Sequence, residues 1–151
     1  MRKIIVSDTS CLILLEKIGR IALLESLFGK ITVTSVIADE FGKTLPDFIE
    51  IEDAEDKKYQ QILENILDAG EASAIALALE KDDCLLIMDE SKGRREAKQL
   101  KIKLTGTVGI LIFAKEKGLI QSVTEIIEQI RRTDFRISET LIQEAKRKSN
   151  E

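Results

Sequence analysis

Apolar positions along this chain follow two rhythms. Short runs at 4–7, 31–34, 84–88 and 102–105 read as strands, and the first, β-branched and free of polar alternation, reads as a buried parallel strand. Residues 48–51 read as a further short strand. Between these runs, longer segments repeat apolar residues at helical spacing. They predict helices over about 12–18, 21–28, 35–41, 57–67, 71–81, 91–100, 110–117, 122–132 and 138–148. Gly19, Gly29, Gly42, Pro46 and Gly118 punctuate the pattern where helices should stop or turn. Strands separated by helical segments predict an α/β fold with a mainly parallel central sheet and helices on both faces, a three-layer α/β/α sandwich. Such sheets place their sites beyond the carboxyl ends of the strands. Asp8 and Asp89, which end the first and a later strand run, fall there.

A length of 151 residues suits one domain, expected over 1–151, and 44% hydrophobic residues supply a core. No apolar stretch approaches the ~20 residues of a membrane span. The basic N-terminus runs into Asp8 too early for a signal peptide, so a cytoplasmic location is expected. Cys11 and Cys84 lie inside apolar runs and read as buried thiols rather than a disulfide or zinc site. The chain has no histidine, which excludes imidazole bases, His-based triads and His-ligated zinc. The net charge of −4 conceals an asymmetry: residues 1–90 hold 9 Lys/Arg against 19 Asp/Glu, and residues 91–151 hold 14 against 8. The stretch 92–103 alone holds Lys92, Arg94, Arg95, Lys98, Lys101 and Lys103 with one acid, Glu96. It reads as a solvated helix face or as a surface for phosphates.

Four acids carry the candidate chemistry. Asp8 and Asp89 follow strand runs, Glu71 opens the alanine-rich segment GEASAIALALE, and Glu40 lies late in the helix after the second strand. Carboxylates gathered at one sheet edge repel one another, and a divalent cation with oxygen ligands is their natural counter-ion. Each has a plainer role available. Asp8 can be a helix N-cap, Glu71 a first-turn acid favoured by the helix dipole, and Glu40 a solvated acid. The small-residue stretch Gly106-Thr107-Val108-Gly109 serves tight packing or, with Thr107 opening a helix, a ligand.

The pieces IIVSDTS, TVTSVIADEFG, GEASAIALALE and LIMDESKGRREAKQLKIKLTGTVGIL together resemble the PIN-domain ribonucleases, a family that includes the VapC-like toxins of toxin–antitoxin pairs. The resemblance implies a PIN-like fold and Mg²⁺ or Mn²⁺ held by Asp8, Glu40, Glu71 and Asp89. It implies supporting hydroxyls at Ser10 and Thr107, and cleavage of single-stranded RNA. Arg94, Arg95 and Lys98 are the candidates for substrate phosphates. An antitoxin protein and a homodimer are the partners it suggests. Glu71 stands where many members carry Asp, and Glu90 is a further acid beside Asp89. Two rival readings stand beside it. A signalling receiver lacks its early acid pair and late lysine here; a catalytically silent PIN-like module binding RNA or protein keeps the fold without the reaction.

Overall fold

Ile4–Ser7, the first apolar run, becomes the middle strand of a five-stranded, all-parallel sheet. The computed structural model describes residues 3–151, so the basic start at Met1 and Arg2 lies outside the described residues. The elements in order are β1 (Ile4–Ser7), α1 (Thr9–Lys17), α2 (Ala22–Phe28), β2 (Ile31–Val33), α3 (Ser35–Phe41), β3 (Ile49–Ile51) and α4 (Lys58–Leu63). They continue as α5 (Ala69–Leu79), β4 (Cys84–Ile87), α6 (Ser91–Gln99), β5 (Lys103–Thr105), α7 (Thr107–Glu116), α8 (Val123–Arg131) and α9 (Glu139–Lys148). The sheet order is β3-β2-β1-β4-β5. The fold is the α/β/α sandwich expected, with a sheet parallel throughout.

The central position of β1 follows from its composition. Ile5, Val6 and Ser7 are buried, as a strand covered on both faces requires. Four residues pair in register with β4, from Ile4 against Cys84 to Ser7 against Ile87. One large core contains β1, β2, β4 and α5, and a second joins Leu14 and Leu23 to α7, α8 and α9. Helix α5 packs against β1 and β4. Beyond its first residue its alanines, Ala72, Ala74, Ala76 and Ala78, are buried, and their small side chains let the helix backbone sit close to the sheet. Cys11 and Cys84 are buried free thiols. No helix among the described residues is long and apolar enough to cross a membrane.

Three helix starts differ from the sequence expectation, the first being α1, which begins at Thr9 directly after its Asp8 cap rather than near residue 12. Helix α5 begins at Ala69 rather than Glu71, because Asp68 caps it by accepting from the Glu71 N–H at 2.8 Å. Helix α7 begins at Thr107, so the small-residue run Thr107-Val108-Gly109 is its first turn, ahead of the expected start at 110. The expected helix 57–67 stops at Leu63 and continues as turns. The acidic stretch 50–56, which its charge would place in solvent, is partly tied to the fold. Ala54 is buried, and Asp53 accepts from the Ser35 N–H and hydroxyl at 2.9 and 3.0 Å.

The C-terminal helix is anchored by one carboxylate. Glu151 accepts from Lys115 Nζ at 2.8 Å, Ser122 Oγ at 2.9 Å, Val123 N–H at 2.7 Å and Thr124 N–H at 2.9 Å. It thereby caps α8 from beyond the end of α9 and ties both to α7. Glu151→Ala is expected to lower stability by about 1–2 kcal/mol, the usual worth of a helix cap with charge-assisted bonds. A urea or thermal denaturation midpoint equal to wild type would contradict this.

Candidate active site

After β1 the chain moves outward to β2 and β3, then returns to lay β4 on the other side of β1. The strand order therefore reverses between β1 and β4, the switch point at which parallel sheets bind ligands. Asp8 follows β1 and Asp89 lies two residues past β4. The structure stitches them together. The Asp8 N–H donates to Ile87 O at 2.9 Å, and the Asp89 N–H donates to Asp8 Oδ2 at 3.1 Å. Asp8 Oδ1 accepts from the Cys11 N–H at 3.1 Å, capping α1. Asp8 is thus both the helix cap that its position allowed and half of an acid pair.

Asp89 is held from the next strand connection. Thr107 donates its N–H to Asp89 Oδ1 at 2.9 Å and its hydroxyl to Oδ2 at 2.7 Å. Gly106 makes this approach possible, since a Cβ there would sit 2.7 Å from Asp89 Oδ1 and 3.3 Å from Arg94 Nη1. Thr107 is fully buried and so is a fixed support for the carboxylate.

Glu71 and Glu40 reach the same edge from the helices. Glu71 lies in the first turn of α5, and its carboxyl carbon would be 3.6 Å from a Cβ on Gly93. Glu40, near the end of α3, accepts the Thr9 hydroxyl on Oε1 at 2.6 Å. It also occupies the space that a side chain on Gly70 would fill. The family resemblance names Ser10 and Thr107 as supporting hydroxyls, and Thr107 is the one that holds Asp89. Ser10 is exposed, and its neighbour Thr9 makes the contact to an acid. Asp68 was also missed. Its signal was present as Asp68-x-x-Glu71, the spacing of a capping box. Glu90 turns to the N–H of Lys92 and caps α6.

The basic residues of α6 do not stay together. Arg94 donates from Nη1 to Met88 O at 2.8 Å, which fixes its guanidinium beside the residue preceding Asp89. Lys98 shares a cleft with Arg94 and Asp89. Arg95 lies instead in a different groove, with Lys92, Glu96, Asn65 and Ile66. Lys101 and Lys103 sit at the opposite end of the sheet, near Asp82 and Asp83.

The field at the acid edge is strongly negative. Burial, then the charge of Asp89, pushes the Asp8 carboxyl up to about 7. Burial, then Asp68 and Glu90, pushes Glu71 up to about 7. The Cys11 thiol beneath is raised well above its ordinary value by burial, Asp89 and Asp8. None of the ion pairs found among the described residues involves Asp8, Glu40, Glu71 or Asp89. The donors are hard carboxylate oxygens without a cation, the chemistry that suits Mg²⁺ or Mn²⁺. As they stand, no three Asp, Glu, Cys or His side chains among the described residues converge on one ion position. Asp8 and Asp89 are brought together; Glu40 is turned to Thr9, and Glu71 to the space beside Gly93.

A parallel α/β/α sandwich with paired acids at its switch point has the form of a nuclease-type PIN fold. The model of a PIN-domain family matches residues 4–151, and the chain belongs to that family. No curated protein and no solved structure matches it.

The raised carboxyls set a pH dependence for the metal-free protein. Between roughly pH 4 and about 7, folded Asp8 and Glu71 keep protons that the unfolded chain releases. Stability therefore falls as pH rises through that window. Carboxyls held low, such as Asp53 and Glu151, lose their contribution only below their ordinary range. In EDTA the denaturation midpoint should drop from about pH 5 to about pH 8, with a shallower drop in Asp8→Asn. A flat wild-type profile would refute the assignment.

Proposed function

We propose that this chain is an endoribonuclease that hydrolyses phosphodiester bonds of single-stranded RNA with Mg²⁺ or Mn²⁺. The observation that carries this reading is the Asp8–Asp89 pair at the switch point, joined at 3.1 Å through the Asp89 N–H and, among the described residues, in no ion pair with a Lys or Arg. Membership of the PIN-domain family supports a nuclease-type reaction. Asp8 and Asp89 would hold the ion, with Glu71 and Glu40 as its further carboxylates. A divalent ion held there neutralises the phosphate charge and makes a water more acidic. The remaining work belongs to the chain. Thr107 keeps both oxygens of Asp89 oriented, and Thr9 holds Glu40. Arg94, fixed on Met88 O, offers a cation for a substrate phosphate beside Asp89.

The reading extends to one catalytic domain over 1–151 acting on cytoplasmic RNA. As the toxin of a toxin–antitoxin pair, it would work as a homodimer restrained by an antitoxin protein. That extension rests on the family resemblance.

The test is cleavage of single-stranded RNA by the purified protein. Asp8→Asn and Asp89→Asn should each reduce the rate about 100-fold or more, and EDTA should abolish it. Mg²⁺ or Mn²⁺ should raise the thermal midpoint of wild type near pH 8 but not that of Asp8→Asn. Undiminished cleavage by the variants would defeat the proposal. Metal uptake without cleavage would identify the silent binding module instead.

Gly70 supplies a sharper check on Glu40. Alanine at this helical position is worth up to about 1 kcal/mol in helix propensity, but its Cβ would displace the Glu40 carboxylate. Gly70→Ala should therefore lose activity while its thermal midpoint holds or rises. Full activity in this variant would remove Glu40 from the site.

A further inference from the structure

A cleft of about 490 Å³ opens directly from Asp89 and runs between α6, β5, α7 and α9. Its size lies within the ~300–1,000 Å³ of small-ligand sites. The floor is aliphatic: Leu104, Ile112 and Leu141. Leu141 keeps 40% of its surface exposed, although its neighbours Ile142 and Ala145 are buried in the second core. The rim is cationic, with Arg94, Lys98 and Lys148. One acid beyond Asp89 lines it, Glu144, and that carboxylate is paired with Lys148 at 3.0 Å.

We infer that this cleft is the subsite for the nucleotide flanking the scissile phosphate, an inference that rests on the ribonuclease reading. Three features select such an occupant. The cleft begins at one of the two paired acids, so its occupant is covalently next to whatever reacts there. Its rim carries Arg94 and Lys98 from α6, and from α9 Lys148, whose solvent-exposed pair with Glu144 a phosphate of the passing backbone would replace. Its aliphatic floor suits the flat apolar face of a base, which an extended phosphate chain alone would leave empty. Arg94 is the hinge of the arrangement. Its guanidinium is already fixed on Met88 O at 2.8 Å, so it presents its remaining donors without losing side-chain freedom on binding. Helix α9, whose place depends on the Glu151 anchor, thereby becomes a wall of the substrate site.

The assignment separates charge from packing, and steady-state cleavage of single-stranded RNA with Mn²⁺ reads both. The double variant Lys98→Gln/Lys148→Gln should raise KM about tenfold with kcat little changed. The slope of log(kcat/KM) against log salt should become shallower by about 1.4, at ~0.7 per lost phosphate contact on a single strand. Leu141→Gln should leave that slope unchanged and alter which base flanks the cut. Lys101→Gln/Lys103→Gln removes the same charge at the far end of the sheet and should change neither quantity. Wild-type KM and slope in the Lys98/Lys148 variant, or equal effects of the two double variants, overturn the subsite. If Asp8→Asn abolishes cleavage while the cleft variants behave as wild type, the nuclease reading stands and this assignment alone fails. If wild type cleaves no RNA, both fall.

Discussion

The backbone N–H of Asp89 donating to the carboxylate of Asp8 is the contact on which the rest of the site depends. It is made across the end of the β1–β4 ladder, whose register runs from Ile4–Cys84 to Ser7–Ile87. Two acids would not be held side by side in a buried place unless the backbone that carries them were already paired. Here the ladder brings the strand ends together, and N–H groups of Cys11, Asp89 and Thr107 supply donors to the carboxylates. Those donors offset part of the burial cost without cancelling it, since the Asp8 carboxyl still sits near 7. The strain between these charges is the usual mark of a site that trades stability for binding.

The same chemistry serves structure and function at this edge. A helix that follows a strand begins where the sheet's carboxyl ends lie, so N-caps and site acids compete for the same few positions. Asp8 caps α1, Asp68 caps α5 and Glu90 caps α6. Of these, Asp8 alone also faces Asp89 across the switch point. Glycine then decides how closely the acids approach. Gly70 leaves room for Glu40, and Gly106 leaves room between Asp89 and Arg94.

The charge asymmetry of the chain becomes a spatial one, but not the one its linear order suggests. Helical periodicity sends Arg94 and Lys98 to the cleft beside Asp89 and Arg95 to another groove. The end of α6 carries Lys101 and Lys103 to the opposite edge. Lys148, distant in sequence, completes the basic rim instead. The second core, with Ile126, Ile127 and Ile130 of α8 packed against α7 and α9, is what carries it there.

Strand runs, helical spacing and the absence of histidine were enough to establish the α/β class, the strand-end placement of Asp8 and Asp89, and the exclusion of imidazole chemistry. These are local properties: a buried strand must be apolar, and its end must be where polar residues resume. Glu40 and Glu71 required the family resemblance, because a helix position has no sheet edge until the helix is docked. Choosing Thr9 over Ser10 required the orientation of one helical turn relative to α3. The start of α5 was legible as Asp68-x-x-Glu71, a capping spacing that begins the helix two residues before Glu71. Only the tertiary structure decided that Asp8 meets Asp89 and that Thr107 holds Asp89. It also decided that Leu141 is left exposed within the cleft while Ile142 is buried. Each depends on which strand lies beside which and how each helix is rotated, long-range choices that no local pattern encodes.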